Sequence, residues 1–218
     1  MNWDDEYAGN RKIWGDVPSE LAIIMVDYLR KNNLEKRRLV ILDIGCGYGR
    51  DEIYLSKYLN CHIRAIDSSQ KAISAAQNTA SSLKNVDFAV CNFTELAEDK
   101  YDVVFISNLY HSIRERERKA LRDKLKNLLR PDSMLFLNAL SVNDPEEYGK
   151  GAAVENEPHS FQGKKYLHFC TAEELHDDFD FLRMRELYEH KYDEPHYQGK
   201  THHHISWILI GQKPDRGR

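Results

Sequence analysis

The chain predicts an α/β fold: a seven-stranded, mostly parallel sheet with helices on both faces, finished by an antiparallel C-terminal strand pair. Three observations predict it. Short β-branched runs alternate with amphipathic segments through the middle of the 218 residues. The first of these runs is apolar at its centre rather than alternating, as a strand buried on both faces is. Two long β-like runs then close the chain with only a turn between them. Strands separated by helices imply βαβ units joined by right-handed crossovers.

Each element has its own signal. "VPSELAIIMVDYLRKN" (17–32) starts with proline in the first turn and aligns Leu21, Ile24, Tyr28 and Leu29 as a packing helix. "RRLVILDIG" (37–45) reads as a buried strand, and "RDEIYLSKYL" (50–59) as a helix carrying Ile53, Leu55 and Leu59. "HIRAID" (62–67) is a second strand, and "SSQKAISAAQNTASSL" (68–83) a helix opened by a serine cap. "VDFAV" (86–90) and "YDVVFIS" (101–107) are the third and fourth strands. "RERERKALRDKLKNLLR" (114–130) places Leu121, Leu125, Leu128 and Leu129 on one helical face and is ended by Pro131. "MLFLNAL" (134–140) is a fifth strand. The polar, Gly- and Pro-containing stretch 141–165 reads as a mobile loop, and "TAEELHDDF" (171–179) as a short helix. "FLRMRELYEHKYD" (181–193) and "HHHISWILIGQK" (202–213) pair across a turn near "EPHYQGK". No internal repeat appears, and one domain over 1–218 accommodates the whole.

Composition narrows the function. A formal net charge of −4 argues against a protein that wraps nucleic acid non-specifically, since that needs a dominant basic field. Basic residues do recur at Arg114, Arg116, Arg118, Lys119, Arg122 and Lys126. Acids interleave with them and no aromatics do, so they read as a solvated helix face. No apolar stretch approaches the roughly 18 residues of a membrane span. The acidic, aromatic start "MNWDDEYAGN" is unlike a secretory signal. Cys46, Cys61, Cys91 and Cys170 are far apart with no CxxC pair, so reduced thiols in a cytoplasmic protein are expected.

The chemistry is concentrated in "ILDIGCGYGRDE" (41–52), where an apolar strand ends at Asp43 and three glycines follow at alternate positions. Glycine at that density lets the backbone approach something closely. A dinucleotide fingerprint has the spacing GxGxxG. Here the third glycine falls one place early and Arg50 stands in its position, so the spacing departs from that of a nicotinamide-dependent oxidoreductase.

The stretch resembles motif I of the class I S-adenosylmethionine-dependent methyltransferases, an acid, one residue and then GxGxG. The resemblance implies a Rossmann-like fold, S-adenosyl-L-methionine as cofactor and methyl transfer to a small-molecule acceptor. It implies that Gly45, Cys46, Gly47 and Gly49 wrap the methionine end, with Asp43 bracing the loop from behind. Asp67, with Ser68 beside it, ends the second strand where the family has an acid on the ribose hydroxyls; a carboxylate suits a diol as bidentate acceptor. Asn92 and Phe93 follow the third strand at the adenine position, with Asn92 in place of the usual acid. "YDVVFISNLYH" matches the fourth motif and places Ser107 at the cofactor, and "LLRPDSMLFL" is similar to the family's "LKPGG" turn. The resemblance spans roughly residues 36–141. It divides the chain into an N-terminal lid and helix (1–35), a cofactor-binding core (36–141) and a substrate-side loop with C-terminal hairpin (142–218).

The front "WGDVPSELA" is similar to that of the tellurite-resistance and thiopurine-type small-molecule methyltransferases. Their N-terminal segment folds over the cofactor, which gives Trp3, Tyr7 and Trp14 a lid role and Arg11 a polar contact. Tyr110 and His111 follow the fourth strand, above the expected methyl position. They are the candidates for taking a proton from an acceptor, since imidazole titrates near neutrality. His190, His196, His202, His203 and His204 gather around the terminal hairpin, with His159 and His168 upstream. Without HExxH spacing or paired cysteines they are assigned no metal, and they fit a polar strand end or part of the acceptor pocket. A non-catalytic or metal-binding protein that keeps the same fold is the alternative function. Neither nucleic acid nor membrane is expected as a partner, and the chain is expected as monomer or homodimer.

Overall fold

A computed structural model describes residues 3–8, 15–97, 99–195 and 201–215. The strands β1 (Leu39–Ile44), β2 (Cys61–Asp67), β3 (Val86–Val90), β4 (Tyr101–Ile106), β5 (Leu129–Leu140), β9 (Arg183–Pro195) and β10 (Thr201–Gln212) form one sheet. Its order is β3-β2-β1-β4-β5-β10-β9. The first five strands are mutually parallel, and β10 runs antiparallel to both β5 and β9. The expected strand pair therefore closes the sheet as read.

Period-two alternation explains why the central strands are apolar on both sides. Leu42 and Ile44 of β1 enter one core with Val104 and Ile106 of β4. Leu39 and Ile41 enter the opposite core with Val103 and Phe105. The helices supply the covers. In α5 (Glu115–Leu128), Leu121, Leu125 and Leu128 are buried in the first core, which Leu175 of α6 (Ala172–Asp178) joins. Leu21, Met25 and Leu29 of α2 (Glu20–Lys31) fill the second with Leu55 of α3 (Arg50–Tyr58). Ile73 of α4 (Gln70–Thr79) completes it.

Caps fix where these helices start. Ser69 Oγ accepts from the Ala72 amide at the head of α4, the serine cap expected there. Before α2 the cap is Ser19, bonded to the Ala22 amide, so Pro18 stands outside the helix rather than in its first turn.

Four local readings change. Helix α5 stops at Leu128, and Leu129 already pairs with Tyr101 as strand, so the chain is extended before it reaches Arg130, which Pro131 restricts to that backbone. Ile53 faces solvent, whereas Asp51 and Glu52 are buried. Arg118 of the supposedly solvated basic face is 2% exposed. Its guanidinium donates to the Ile113 carbonyl and the Tyr166 hydroxyl, each at 2.8 Å, and pairs with Glu115. Finally, the 141–165 loop contains β6 (Ala152–Ala153) and β7 (Ser160–Gln162), which join β8 (Tyr166–His168) in a small antiparallel sheet. Its polar residues are tied inward, with Asp144 accepting from the Glu147 and Ile205 amides.

Candidate active site

Ligands in an open α/β sheet bind beyond the carboxyl ends of the strands, where the strand order reverses. Here that place lies between β1 and β4. A cleft of about 470 Å³ occupies it. Asp43, Gly45, Cys46, Gly47, Asp67, Ser68, Asn92, Phe93 and Ser107 all line it, as do Trp3 and Tyr7 of the N-terminal segment. These residues come from four different strand ends, so the sequence reading brought together what the fold brings together. Arg11 and Trp14 lie outside the described residues.

The loop after β1 is held by backbone chemistry. The Gly45 and Cys46 amides donate to the Ile66 carbonyl at 2.8 and 3.0 Å, and the Gly47 amide donates to Asp67 Oδ2 at 3.0 Å. The bracing expected of Asp43 is thus done by Asp67 and Ile66, since none of these amides bonds to Asp43. Gly47 has φ +57, and a Cβ there would stand 2.9 Å from the Tyr7 hydroxyl. Gly49 is different: at φ +83 it begins α3, and its Cβ would press on Ala76 and Phe88 at 3.1–3.2 Å. The first two glycines therefore serve the cleft, and the third serves the packing of α3 on α4 and β3.

Asp67 sits at the C-terminal end of β2. Its other oxygen accepts the Ser69 amide at 2.8 Å, while burial pushes its carboxyl above the usual range. Asn92 Oδ1 accepts both the amide and the hydroxyl of Thr94, which holds the side chain at the cleft edge beside Phe93. Two buried polar atoms here lack partners, Asp43 Oδ1 and Ser107 Oγ. Both belong to residues of the cleft wall, and a buried polar atom without a protein partner is one that a bound polar group can complete.

Beneath the loop lies a carboxyl cluster that sequence reading missed. Burial, with the neighbouring Glu52 charge, drives the Asp43 carboxyl well up. Glu52 is raised to about 7, mainly by the same desolvation. Asp51 accepts from the Ser19 amide and hydroxyl at 2.6 and 2.8 Å, joining α3 to the start of α2. The Cys46 thiol is held protonated by burial first and by these acids second.

The cleft is roofed from two sides. On one, α1 (Trp3–Glu6) is anchored by Asp4, which accepts from the Ser69 hydroxyl at 2.5 Å and the Lys71 amide at 3.2 Å. On the other stand Gln162, Lys164 and Tyr166 of the small sheet, near Arg114 and Glu117 at the start of α5. Lys165 links the two roofs, 3.2 Å from Glu6 and over the Trp3 ring.

Tyr110 and His111 are placed otherwise than expected, for neither lines the cleft. The Tyr110 hydroxyl donates to Asp178 at 2.5 Å and accepts from Arg122 at 2.8 Å. Its pKa is pushed far up by burial and by the Asp178 charge. His111 is buried and pushed down to about 3, first by desolvation and then by His204 and His168. An imidazole of that basicity, away from the cleft, does not carry the expected proton transfer. In the terminal hairpin, His202 and His204 stack on one face as period two requires, but each has an acid partner. His202 faces Glu146, and His203 bonds Asp193 while His204 bonds Asp144.

With this geometry in view, comparison with known proteins decides the family. Residues 41–132 match the model of the methyltransferase domain family. An uncharacterised methyltransferase of Schizosaccharomyces pombe is 33% identical over 111 residues, covering 50% of this chain and 76% of the relative. The chain belongs to the class I S-adenosylmethionine-dependent methyltransferases. Solved structures agree in fold. TehB of Haemophilus influenzae superposes with a TM-score of 0.67 at 15% identity, covering 96% of this chain and 66% of TehB. The Burkholderia thailandensis 1,6-didemethyltoxoflavin-N1-methyltransferase gives 0.69 at 18% identity, covering 98% and 86%. The cofactor of this methyltransferase is S-adenosylmethionine, and the cleft fits it: Asp43 and Ser107 in its wall each keep a polar atom without a protein partner, and the backbone at Gly47 is free of a Cβ.

Proposed function

We propose that this methyltransferase transfers the methyl group of S-adenosylmethionine to a small-molecule acceptor. The supporting observation is the roofed cleft: α1 and the β7–β8 hairpin meet over it through Lys165 and Glu6. At about 470 Å³ it is in the range of pockets that enclose small molecules. In this reading Asp67 and Ser68 hold the ribose, Asn92 and Phe93 the adenine end, and Gly45 to Gly47 with Ser107 the methionine end. Asp43 lies under the loop as a buried carboxyl whose raised pKa favours the neutral acid. When bound, the cofactor supplies an electrophilic methyl on a sulfonium that leaves without protonation. The protein's own contribution is then orientation and exclusion of water. Trp3 and Tyr7 exclude water from one side, and Gln162, Lys164 and Tyr166 from the other. The acceptor lies among the last three and Arg114, so the β7–β8 hairpin is the substrate side in this reading. No general base is assigned. Four free cysteines fit work in the cytoplasm.

Two measurements test this. Calorimetric titration with S-adenosylhomocysteine is expected to give one site, weakened at least tenfold in Asp67→Ala with the fold retained by circular dichroism. No binding by folded wild-type protein refutes the cofactor assignment, and unchanged affinity in the variant removes Asp67. Transfer of labelled methyl to a panel of small phenols, thiols and amines tests the acceptor class. Labelling of protein or nucleic acid instead refutes a small acceptor.

A further inference from the structure

Away from the cofactor cleft, the segment after β8 gathers three metal-ligating side chains that methyl transfer does not use. His168 ends β8, Cys170 stands two residues on, and Glu174 lies in the first turn of α6. Alternation along an extended chain puts residues 168 and 170 on one side, and the helix start returns Glu174 to them. One ring nitrogen, the sulfur and one carboxylate oxygen all lie within 4.8 Å of one another. The backbone under them is fixed. The Cys170 amide donates to Leu140 at 2.8 Å, the Cys170 carbonyl accepts from Trp207 Nε1 at 2.9 Å, and the Glu174 amide donates to Thr171 Oγ1 at 3.1 Å.

The imidazole is oriented as a ligand is. Ser160 Oγ sits 2.9 Å from His168 Nδ1, which leaves Nε2 facing Glu174 Oε1 at 2.6 Å. A metal-bound histidine is held in the same manner, its second nitrogen on a polar neighbour. A hydrogen bond between His168 and Glu174 accounts for those two groups but not for the third. Cys170 is buried and free, and its sulfur has no hydrogen-bond partner among the described residues. A second buried imidazole adjoins the cluster: the turn Tyr110–Ser112 packs on β8, and His111 Nδ1 has no partner.

We propose that His168, Cys170 and Glu174 bind one divalent cation of the zinc class. Nitrogen, thiolate and carboxylate are the ligand types of a borderline-soft, tetrahedral ion. Bonds of about 2.0–2.3 Å set tetrahedral ligand atoms roughly 3.3–3.6 Å apart. The His168–Glu174 pair therefore opens by less than about 1 Å and the sulfur closes in, movements within reach of the Glu174 side chain, a quarter exposed. The thiol proton passes to solvent as the sulfur–metal bond forms. Water takes the fourth position from the Glu174 side, because His168 is only 3% exposed. The ion ties β8 to α6, and β8 begins with Tyr166, a residue of the cleft wall. The hairpin histidines are a separate matter, since His202, His203 and His204 face acids.

The test is titration of the reduced, full-length protein with cobalt(II), followed by competition with zinc(II). One equivalent of cobalt is expected to produce a thiolate-to-cobalt charge-transfer band in the near ultraviolet, which zinc abolishes. Cys170→Ser is expected to lose the band, and Glu174→Gln to keep it with at least tenfold weaker affinity, both folded by circular dichroism. No band in folded wild-type protein overturns the site, as does a band that survives Cys170→Ser or an affinity unmoved by Glu174→Gln. Should Cys170→Ser fail to fold, the Glu174→Gln affinity decides alone. Affinity for S-adenosylhomocysteine, measured in parallel, keeps failure of this site distinct from failure of the cofactor assignment.

Discussion

Replacing Glu52 by glutamine is expected to make the protein more stable above neutral pH and to flatten its stability profile. Both Glu52 oxygens are buried without partners, and the neighbouring Asp43 has one unpartnered oxygen of its own. Ionising Glu52 therefore puts an unsolvated charge beneath the glycine loop. Its carboxyl is raised from 4.5 to about 7, chiefly by desolvation; the adjacent Asp43 carboxyl offsets part of the rise, and the Asp51 and Asp67 charges add to it. A folded-state pKa above the unfolded value gives stability that is fully present below pH 4.5 and lost as the pH climbs through about 7. At about 1.4 kcal/mol per pH unit, that interval corresponds to a loss of roughly 3 kcal/mol between pH 4.5 and pH 8. Glutamine has nearly the same shape and does not titrate, so it escapes this loss. Asp43, also raised by burial, still titrates in the variant and retains part of the slope. Urea denaturation of both proteins at a series of pH values from 5 to 8.5 measures the difference directly. The free-energy gap, variant minus wild type, is expected to grow with pH by up to about 3 kcal/mol. Parallel profiles for the two proteins would refute the reasoning, since Glu52 would then titrate alike folded and unfolded.

Two further variants separate the cleft from its surroundings. Gly47→Ala sets a Cβ 2.9 Å from the Tyr7 hydroxyl on a backbone at φ +57, so calorimetry is expected to show S-adenosylhomocysteine affinity falling at least tenfold; an unchanged affinity means the loop does not approach the cofactor there. Tyr110→Phe removes the hydroxyl between Asp178 and Arg122 but leaves their direct 3.0 Å pair. The expected cost is about 1–2 kcal/mol, read as a melting temperature lower by a few degrees, with cofactor affinity intact. Loss of affinity without loss of stability would return Tyr110 to the site.

The cofactor half of the site was legible because its constraints are local in sequence. A strand end, a backbone at positive φ and a helix start all fall within Asp43–Arg50, and each leaves a residue type that names it. Asp67 is likewise read from its own strand end. The polar anchors behind the cleft were illegible because they join residues far apart in the chain. Arg118 meets Tyr166 across 48 positions, Tyr110 meets Asp178 across 68, and His204 meets Asp144 across 60. A charged residue on a polar helix face looks solvated until the partner that buries it is known, and no periodicity announces such a partner. The same limit produced the mobile-loop reading of 141–165, where two of the three small strands span only two and three residues.

The misplacement of Tyr110 and His111 has a physical cause that bears on catalysis. Position after β4 puts a residue near the methyl only if the chain stays extended, and here it does not. Asn108 turns at φ +56, held by a reciprocal pair of bonds in which its amide donates to Asn138 Oδ1 and Asn138 Nδ2 donates to its Oδ1. The Tyr110–Ser112 turn follows at once. This turn leaves Leu109, Ser112 and Ile113 on the cleft while Tyr110 and His111 become core. The segment after β4 thus gives the cleft Asn108, Leu109, Ser112 and Ile113, whose side chains are amide, apolar or hydroxylic. That segment brings no imidazole or carboxylate to the cleft to take a proton from an acceptor's nucleophile, and the sulfonium leaving group needs no general acid. In the proposed reading selectivity comes from shape and from the charges of Arg114, Glu117 and Lys164, which line the same cleft and can pair with an acceptor's polar end.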